Sequence, residues 1–173
     1  MTKWLSHRMV ERGIIKEEEQ ELYQFGIRNG MILLLNVVTA LVIGLLTEQL
    51  AVVAVFTLSF MVLRSYTGGY HSDSRIFCYL GSNLVLLVPV YTQAVFYKTS
   101  LAWLLAVLLV SAGIIFLLSP MHSKNRKLDK EEQKHFGRKA RLIAALELAV
   151  LGILWHAGQV PYAYAVYTGI CIT

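Results

Sequence analysis

The sequence predicts an all-α integral membrane protein, with about six transmembrane helices preceded by an N-terminal amphipathic interfacial helix. Three observations lead there. Of the 173 residues, 56% are hydrophobic, where soluble domains hold about 45–50%, and mean hydropathy is +0.56. Charge is confined: no Lys, Arg, Asp or Glu falls between Arg28 and Glu48, Glu48 and Arg64, Arg75 and Lys98, or Lys98 and Lys124. Uncharged apolar runs of about 18 residues or more are long enough to span a bilayer as helices. The third observation is the one-sided distribution of basic residues, given below. At this length one membrane domain, 1–173, is expected, made of an interfacial region 1–28 and a transmembrane region 29–173.

Residues 1–28 carry five basic and five acidic side chains ahead of any long apolar run. A cleaved signal peptide has the reverse order, a short charged start and then an apolar stretch. Trp4, Leu5, Met9, Val10, Ile14 and Ile15 recur among the charges. That suits a helix lying in the interface with Trp4 at headgroup level. Runs 29–47, 76–97 and 99–119 each suffice to cross a core of about 30 Å at about 1.5 Å per residue. The segment 49–63 reaches only about 22 Å. It spans with local thinning, or by continuing through Arg64 while that side chain snorkels. Beyond Arg141 the chain is charged only at Glu147. Gly158 and Pro161 divide it into expected helices at 140–156 and 160–172, because Pro lacks an amide donor and Gly is a poor helix former.

Six spans with the N-terminus inside put segments 1–28, 64–75 and 119–141 on the cytoplasmic side. Fifteen of the sixteen Lys and Arg residues then lie inside, leaving only Lys98 outside, a strong positive-inside bias. The expected location is a bacterial cytoplasmic membrane, with the 64–75 turn facing the cytosol. The net charge of +5 points to anionic membrane lipids. Nucleic acid is not an expected partner, since no basic patch is interleaved with aromatics. The charge-dense stretch 124–141 reads as a solvated helical connector. Two cysteines, Cys78 and Cys171, make no disulfide framework, and the histidines show no zinc-binding spacing. Neither a metal nor any other cofactor is expected.

Chemistry concentrates in RSYTGGYHSDSRIFC, residues 64–78. A nucleophile and its base must approach to about 2.6–3.2 Å, whereas seven residues of unbroken helix separate them by about 10.5 Å. Gly68 and Gly69 permit positive φ and close backbone approach, and Asp73 and the serines favour turns, so His71 can fold back over Cys78. A thiol in the first turn of a helix is favoured as thiolate by free amides and the positive dipole end, with Arg75 adding to the effect. Asp73 is the nearest candidate to orient the imidazole, and Ser72, Ser74 and Asn83 are alternatives. The same residues also suit a blander role, an interfacial Gly-Gly turn beside a small packing cysteine. Cys171 has no adjacent His and reads as packing.

The stretch Arg64-Ser-Tyr66-Thr-Gly68-Gly69-Tyr-His71, with Cys78 seven positions on, resembles the accessory gene regulator B (AgrB) family. These are bacterial membrane cysteine endopeptidases that process a quorum-sensing propeptide. Tyr23-Gln-Phe25-Gly26 before the first span and Ser119-Pro120-Met121 leading to Asn125-Arg126-Lys127 agree with it. Ser72 stands where the family usually has Ala, and His122 replaces an acidic residue. The resemblance maps the catalytic pair onto His71 and Cys78, with Arg64, Gly68, Gly69, Ser72, Asp73 and Arg75 in support. It implies an AgrD-like propeptide substrate, an acyl-enzyme on Cys78, and cyclisation to a thiolactone or lactone. Lys124, Arg126 and Lys127 are candidates to attract an acidic propeptide tail. Glu147, an intramembrane carboxylate, is a candidate second site. A homodimer is a candidate assembly. A non-catalytic peptide transporter or scaffold would explain the spans but not His71 with Cys78.

The orientation has a direct test. In a background with Cys78 and Cys171 replaced, Gln49→Cys should react with an impermeant thiol reagent in intact cells. Ser72→Cys should react only after permeabilisation, and the opposite pattern would invert the topology.

Overall fold

The computed structural model of the chain describes residues 2–68, 75–121 and 129–173, without the side chains of Thr2, Arg75, Ile76, Cys78 and Lys130. The described residues are almost entirely helical, and two compact units arise, Met1–Thr39 and Ala40–Thr173.

In the first unit, α1 (Thr2–Glu11) leads through a 3-10 turn, Glu17–Glu19, into the long helix α2 (Gln20–Leu46), which ends in the second unit. Gly13, at φ +67°, closes α1. The amides of Gly13 and Ile14 donate to the carbonyls of Val10 (2.9 Å) and Met9 (3.0 Å), the paired bonds of a Schellman cap that only a left-handed residue permits. Trp4 is 60% exposed, and the Arg8 guanidinium lies 5.0 Å from its ring centroid. An amphipathic ring paired with a cation is suited to the headgroup layer. The three glutamates of the 3-10 turn precede α2, where the positive dipole end of the helix favours them.

The second unit holds α3 (Leu50–Thr67), α4 (Arg75–Lys98), α5 (Leu101–Leu118), α6 (Lys130–His156) and α7 (Val160–Ile172). At its centre is α7, packed against the other four. Ala163, Tyr164, Ala165 and Val166 are all buried, and four consecutive residues cover every side of a helix with about 3.6 residues per turn. Its 13 residues are apolar all round, as a helix enclosed by others must be. At about 20 Å it is the shortest of the bundle.

Helices α2 to α7 follow the predicted order of six. By length and composition, however, four segments are membrane spans in their own right: Glu17–Leu46, Leu50–Thr67, Tyr79–Lys98 and Leu101–Leu118. The short second span resolves by extension. Helix α3 continues through Arg64 to Thr67, and its 18 residues reach about 27 Å. The stretch after Arg141 does form two helices, but α6 begins eleven residues earlier, at Lys130. Asp129 N donates to Glu132 Oε2 at 3.3 Å, half of a capping box that starts the helix inside the charged connector.

The turns at the far end are tight. Between α6 and α7, Gly158 at φ +72° closes a second Schellman cap, with Gln159 N donating to Leu154 O at 2.9 Å. Between α2 and α3 the same motif places Glu48 at φ +57°. Near these turns an aromatic layer joins three helices. Phe96 of α4 contacts Trp155 of α6 and Tyr164 and Tyr167 of α7, at centroid distances of 6.3, 4.8 and 5.3 Å. The Thr92 and Tyr164 hydroxyls are 2.6 Å apart.

Helices α3 and α7 approach closely at Gly169, where an added Cβ would lie 2.6 Å from Ser59 Oγ and 3.1 Å from its Cβ. Between lipid-embedded helices such small-residue contacts and polar bonds supply the attraction. Gly169→Val should therefore cost about 1–3 kcal/mol through overpacking. Gly152, with nothing within 4 Å of an added Cβ, should tolerate Ala and gain up to about 1 kcal/mol of helix propensity. Thermal midpoints of the two purified variants check the contrast.

Candidate functional site

His71 lies outside the described residues, as do Gly69, Ser72, Asp73, Lys124, Arg126 and Lys127. What is described is the frame from which those segments leave. The described part of helix α4 runs from Arg75, and Cys78 lies close to that end. Thr92 of α4 meets Tyr164, near the start of α7. Cys78 precedes Thr92 by about 21 Å of rise, so it lies toward the opposite end, where α7 finishes.

At that end α3 terminates on Gly68, with φ +74°. Met121, just past α5, donates its amide to Thr67 O at 2.8 Å, and Gly68 and Met121 pair as an isolated parallel bridge. The carbonyl left free at a helix end is thereby satisfied by another segment of backbone, as an apolar surrounding demands. An added Cβ at Gly68 would come within 2.6 Å of Met121 O. Glycine is required there on both counts, backbone angle and space.

Helix α6 closes on the same contact. An added Cβ at Gly137 would lie 3.2 Å from Pro120 Cδ and 3.3 Å from Ser119 O. Tyr66 packs on Phe136 at 6.1 Å between centroids, with the Lys139 ammonium 5.5 Å from the Tyr66 ring. Arg141 Nε donates to Phe116 O at 3.0 Å, tying α6 to the last turn of α5. Arg64 Nη1 donates to Thr173 O at 3.4 Å, tying α3 to the end of α7. The Gly68 and Ser119-Pro120-Met121 motifs, far apart in sequence, thus meet in one backbone contact.

Glu147 sits half-buried on α6 and accepts a hydrogen bond from Ser59 of α3 at 3.0 Å. It is bonded within the bundle, whereas Arg141, six residues before it, is engaged at Phe116. Asn83 donates Nδ2 to Tyr79 O of its own helix at 2.9 Å, while its buried Oδ1 has no partner among the described residues. Cys171 is half-buried, with the Ser111 and Tyr167 hydroxyls in hydrogen-bond range, which fits a packing residue. Sequence reasoning missed Ser59, Gly137, Phe136 and Lys139. Ser59 left a faint signal as a hydroxyl inside an apolar run. Gly137, among charges, left none.

A family model described as Accessory gene regulator B matches residues 1–173. An AgrB-like protein of Clostridium perfringens (strain SM101 / Type A) is 23% identical over 148 residues, 82% of this chain and 69% of that protein. AgrB-like protein 2 of Clostridium perfringens (strain 13 / Type A) is 24% identical over 131 residues, covering 72% and 61% respectively. Accessory gene regulator protein B of Staphylococcus intermedius is 26% identical over 150 residues, covering 84% and 77%. The chain thus spans about six- to eight-tenths of the length of these relatives. No solved structure matches it.

The Gly68 contact gives a graded prediction. Gly68→Ala should destabilise by at least about 2 kcal/mol, combining a left-handed backbone penalty of about 1–2 kcal/mol with overpacking. Gly137→Ala asks Pro120 to give only a few tenths of an ångström and should cost less. Thermal unfolding of both variants in detergent checks the order.

Proposed function

The chain belongs to the accessory gene regulator B family, and from that premise we propose that it is a membrane-embedded cysteine endopeptidase. Family membership carries the coarser statement, a part in processing the autoinducer of the accessory gene regulator system. The finer reading assigns the reaction to Cys78 and His71, acting on an AgrD-like propeptide at the cytoplasmic face. One observation supports it most directly: Cys78, near the described beginning of α4, lies toward the end of the bundle where α3 finishes on Gly68, three residues before His71.

The Cys78 thiolate attacks a carbonyl near the propeptide's C-terminal end. The C–N bond breaks, and the leaving amine takes a proton from the His71 imidazolium. The acyl group is then held as a thioester on Cys78. A Cys thiol within the same peptide attacks that carbonyl, its proton passes to His71, and Cys78 leaves as thiolate. The product is a thiolactone ring, or a lactone where a Ser attacks. One thioester replaces another, so closure needs water kept away rather than an energy source. Asp73 orients His71 in this reading. Arg64 and Arg75 support the thiolate end, Gly68 and Gly69 shape the turn, and Ser72 borders His71. Lys124, Arg126 and Lys127 attract an acidic propeptide tail or anionic headgroups. Glu147 tethers α6 to α3 through Ser59. A homodimer is the proposed assembly.

In lipid, with a synthetic AgrD-like propeptide as substrate, Cys78→Ala and His71→Ala should each lower cleavage by at least about 1,000-fold. The double variant should be no worse than either, because groups acting as one unit fail together. Membrane insertion should be unchanged. Wild type should yield a peptide adduct at Cys78 that hydroxylamine releases. Cleavage by Cys78→Ala at the wild-type rate would sink the peptidase reading in favour of a transporter or scaffold.

A further inference from the structure

At the end where α3, α5 and α7 terminate, the second unit contains a cavity of about 150 Å³. Ile114, Ile115 and Leu118 of α5 and Ile170 of α7 make it mainly aliphatic, Ser111 adds a hydroxyl, and Gly68 also lines it. We propose that this cavity is a side-chain pocket that receives one large apolar residue of the peptide substrate, within about three residues of the cleaved bond. The proposal rests on the endopeptidase reading and adds to it a specificity subsite.

Size, chemistry and position each support it. A volume of about 150 Å³ accepts a benzene-sized guest, so this cavity has room for a phenyl or a branched aliphatic group. Its lining carries no charged side chain, which excludes an acidic or basic residue as the occupant. Gly68 precedes His71 by three positions in sequence. A chain extends by at most about 3.6 Å per residue, so the Gly68 edge of the cavity lies within about 11 Å of the His71 Cα. An extended substrate covers the same distance in about three residues. Continuity with that turn favours a peptide over a lipid chain. Met121, which also lines the cavity, is the residue whose amide holds Thr67, so an occupant touches the frame from which the His71 segment leaves.

The test uses the full chain in lipid bilayers and a synthetic AgrD-like propeptide. Ala is placed in turn at the three positions on each side of the cleaved bond. One apolar position should lose roughly ten- to two-hundred-fold in kcat/KM, the range for trimming a side chain in an apolar pocket. Ser111→Leu, which fills the cavity, should lower kcat/KM for the native peptide at least tenfold, chiefly through KM, and abolish the preference at that position. Ile114→Ala, which trims an exposed residue, should raise acceptance of Trp there and carries the test if Ser111→Leu does not fold. A p-benzoylphenylalanine at that position, bound to Cys78→Ala protein, should crosslink to α5 or α7. Unchanged preference in the folded variants, with cleavage still dependent on Cys78, overturns the pocket and leaves the peptidase reading standing. Crosslinks absent from α5 and α7 while a lipid copurifies in the cavity overturn it as well. Cleavage by Cys78→Ala is the separate result that removes the peptidase reading itself.

Discussion

The hydrogen bond from Met121 N to Thr67 O, 2.8 Å long, is the constraint on which the functional end of the bundle depends. A helix ending at the edge of an apolar region leaves carbonyls that water cannot reach, and each costs several kcal/mol if unpaired. Here the chain emerging from α5 supplies the donor. Because the contact is backbone to backbone, it demands close approach, and close approach demands glycine at 68. Gly137 then lets α6 lie against Pro120. Three helices that are distant in sequence are thereby fixed around the start of the segment that carries His71.

A second constraint governs the middle of the bundle. Lipid offers no hydrophobic drive for one apolar helix to leave it for another, so association relies on close packing and buried polar bonds. Helix α7 uses both. Its small residues allow α3 to approach at Gly169, and its tyrosines meet Thr92 and the carbonyl of Leu104, the latter at 3.2 Å. The same Ser59 that faces Gly169 donates to Glu147. An intramembrane carboxylate is costly to bury, and the hydroxyl gives it a partner while linking α3 to α6.

These two arrangements divide the labour along the bundle axis. The end with short turns and the aromatic layer is locked by ring packing and Schellman caps. At the other end the ends of α3, α5 and α6 are joined through Gly68, Met121 and Gly137. The cavity beside Gly68 lies at that same end.

The sequence by itself determined the class of the protein, because hydropathy and charge are one-dimensional signals. Charge-free runs predict helices in lipid whatever their neighbours are, and the order of six helices follows from them. The family resemblance was legible in short motifs for a related reason: two glycines with His and Cys at fixed spacing are a local pattern that one sequence displays. Only the tertiary structure decided that α7 has no outer face, since an apolar helix enclosed by helices and one facing lipid have the same composition. It also decided which distant residues meet. Gly68 with Met121, Ser59 with Glu147 and Gly137 with Pro120 are pairings between helices, and their partners are chosen by interhelical packing, which leaves no periodicity in a single sequence.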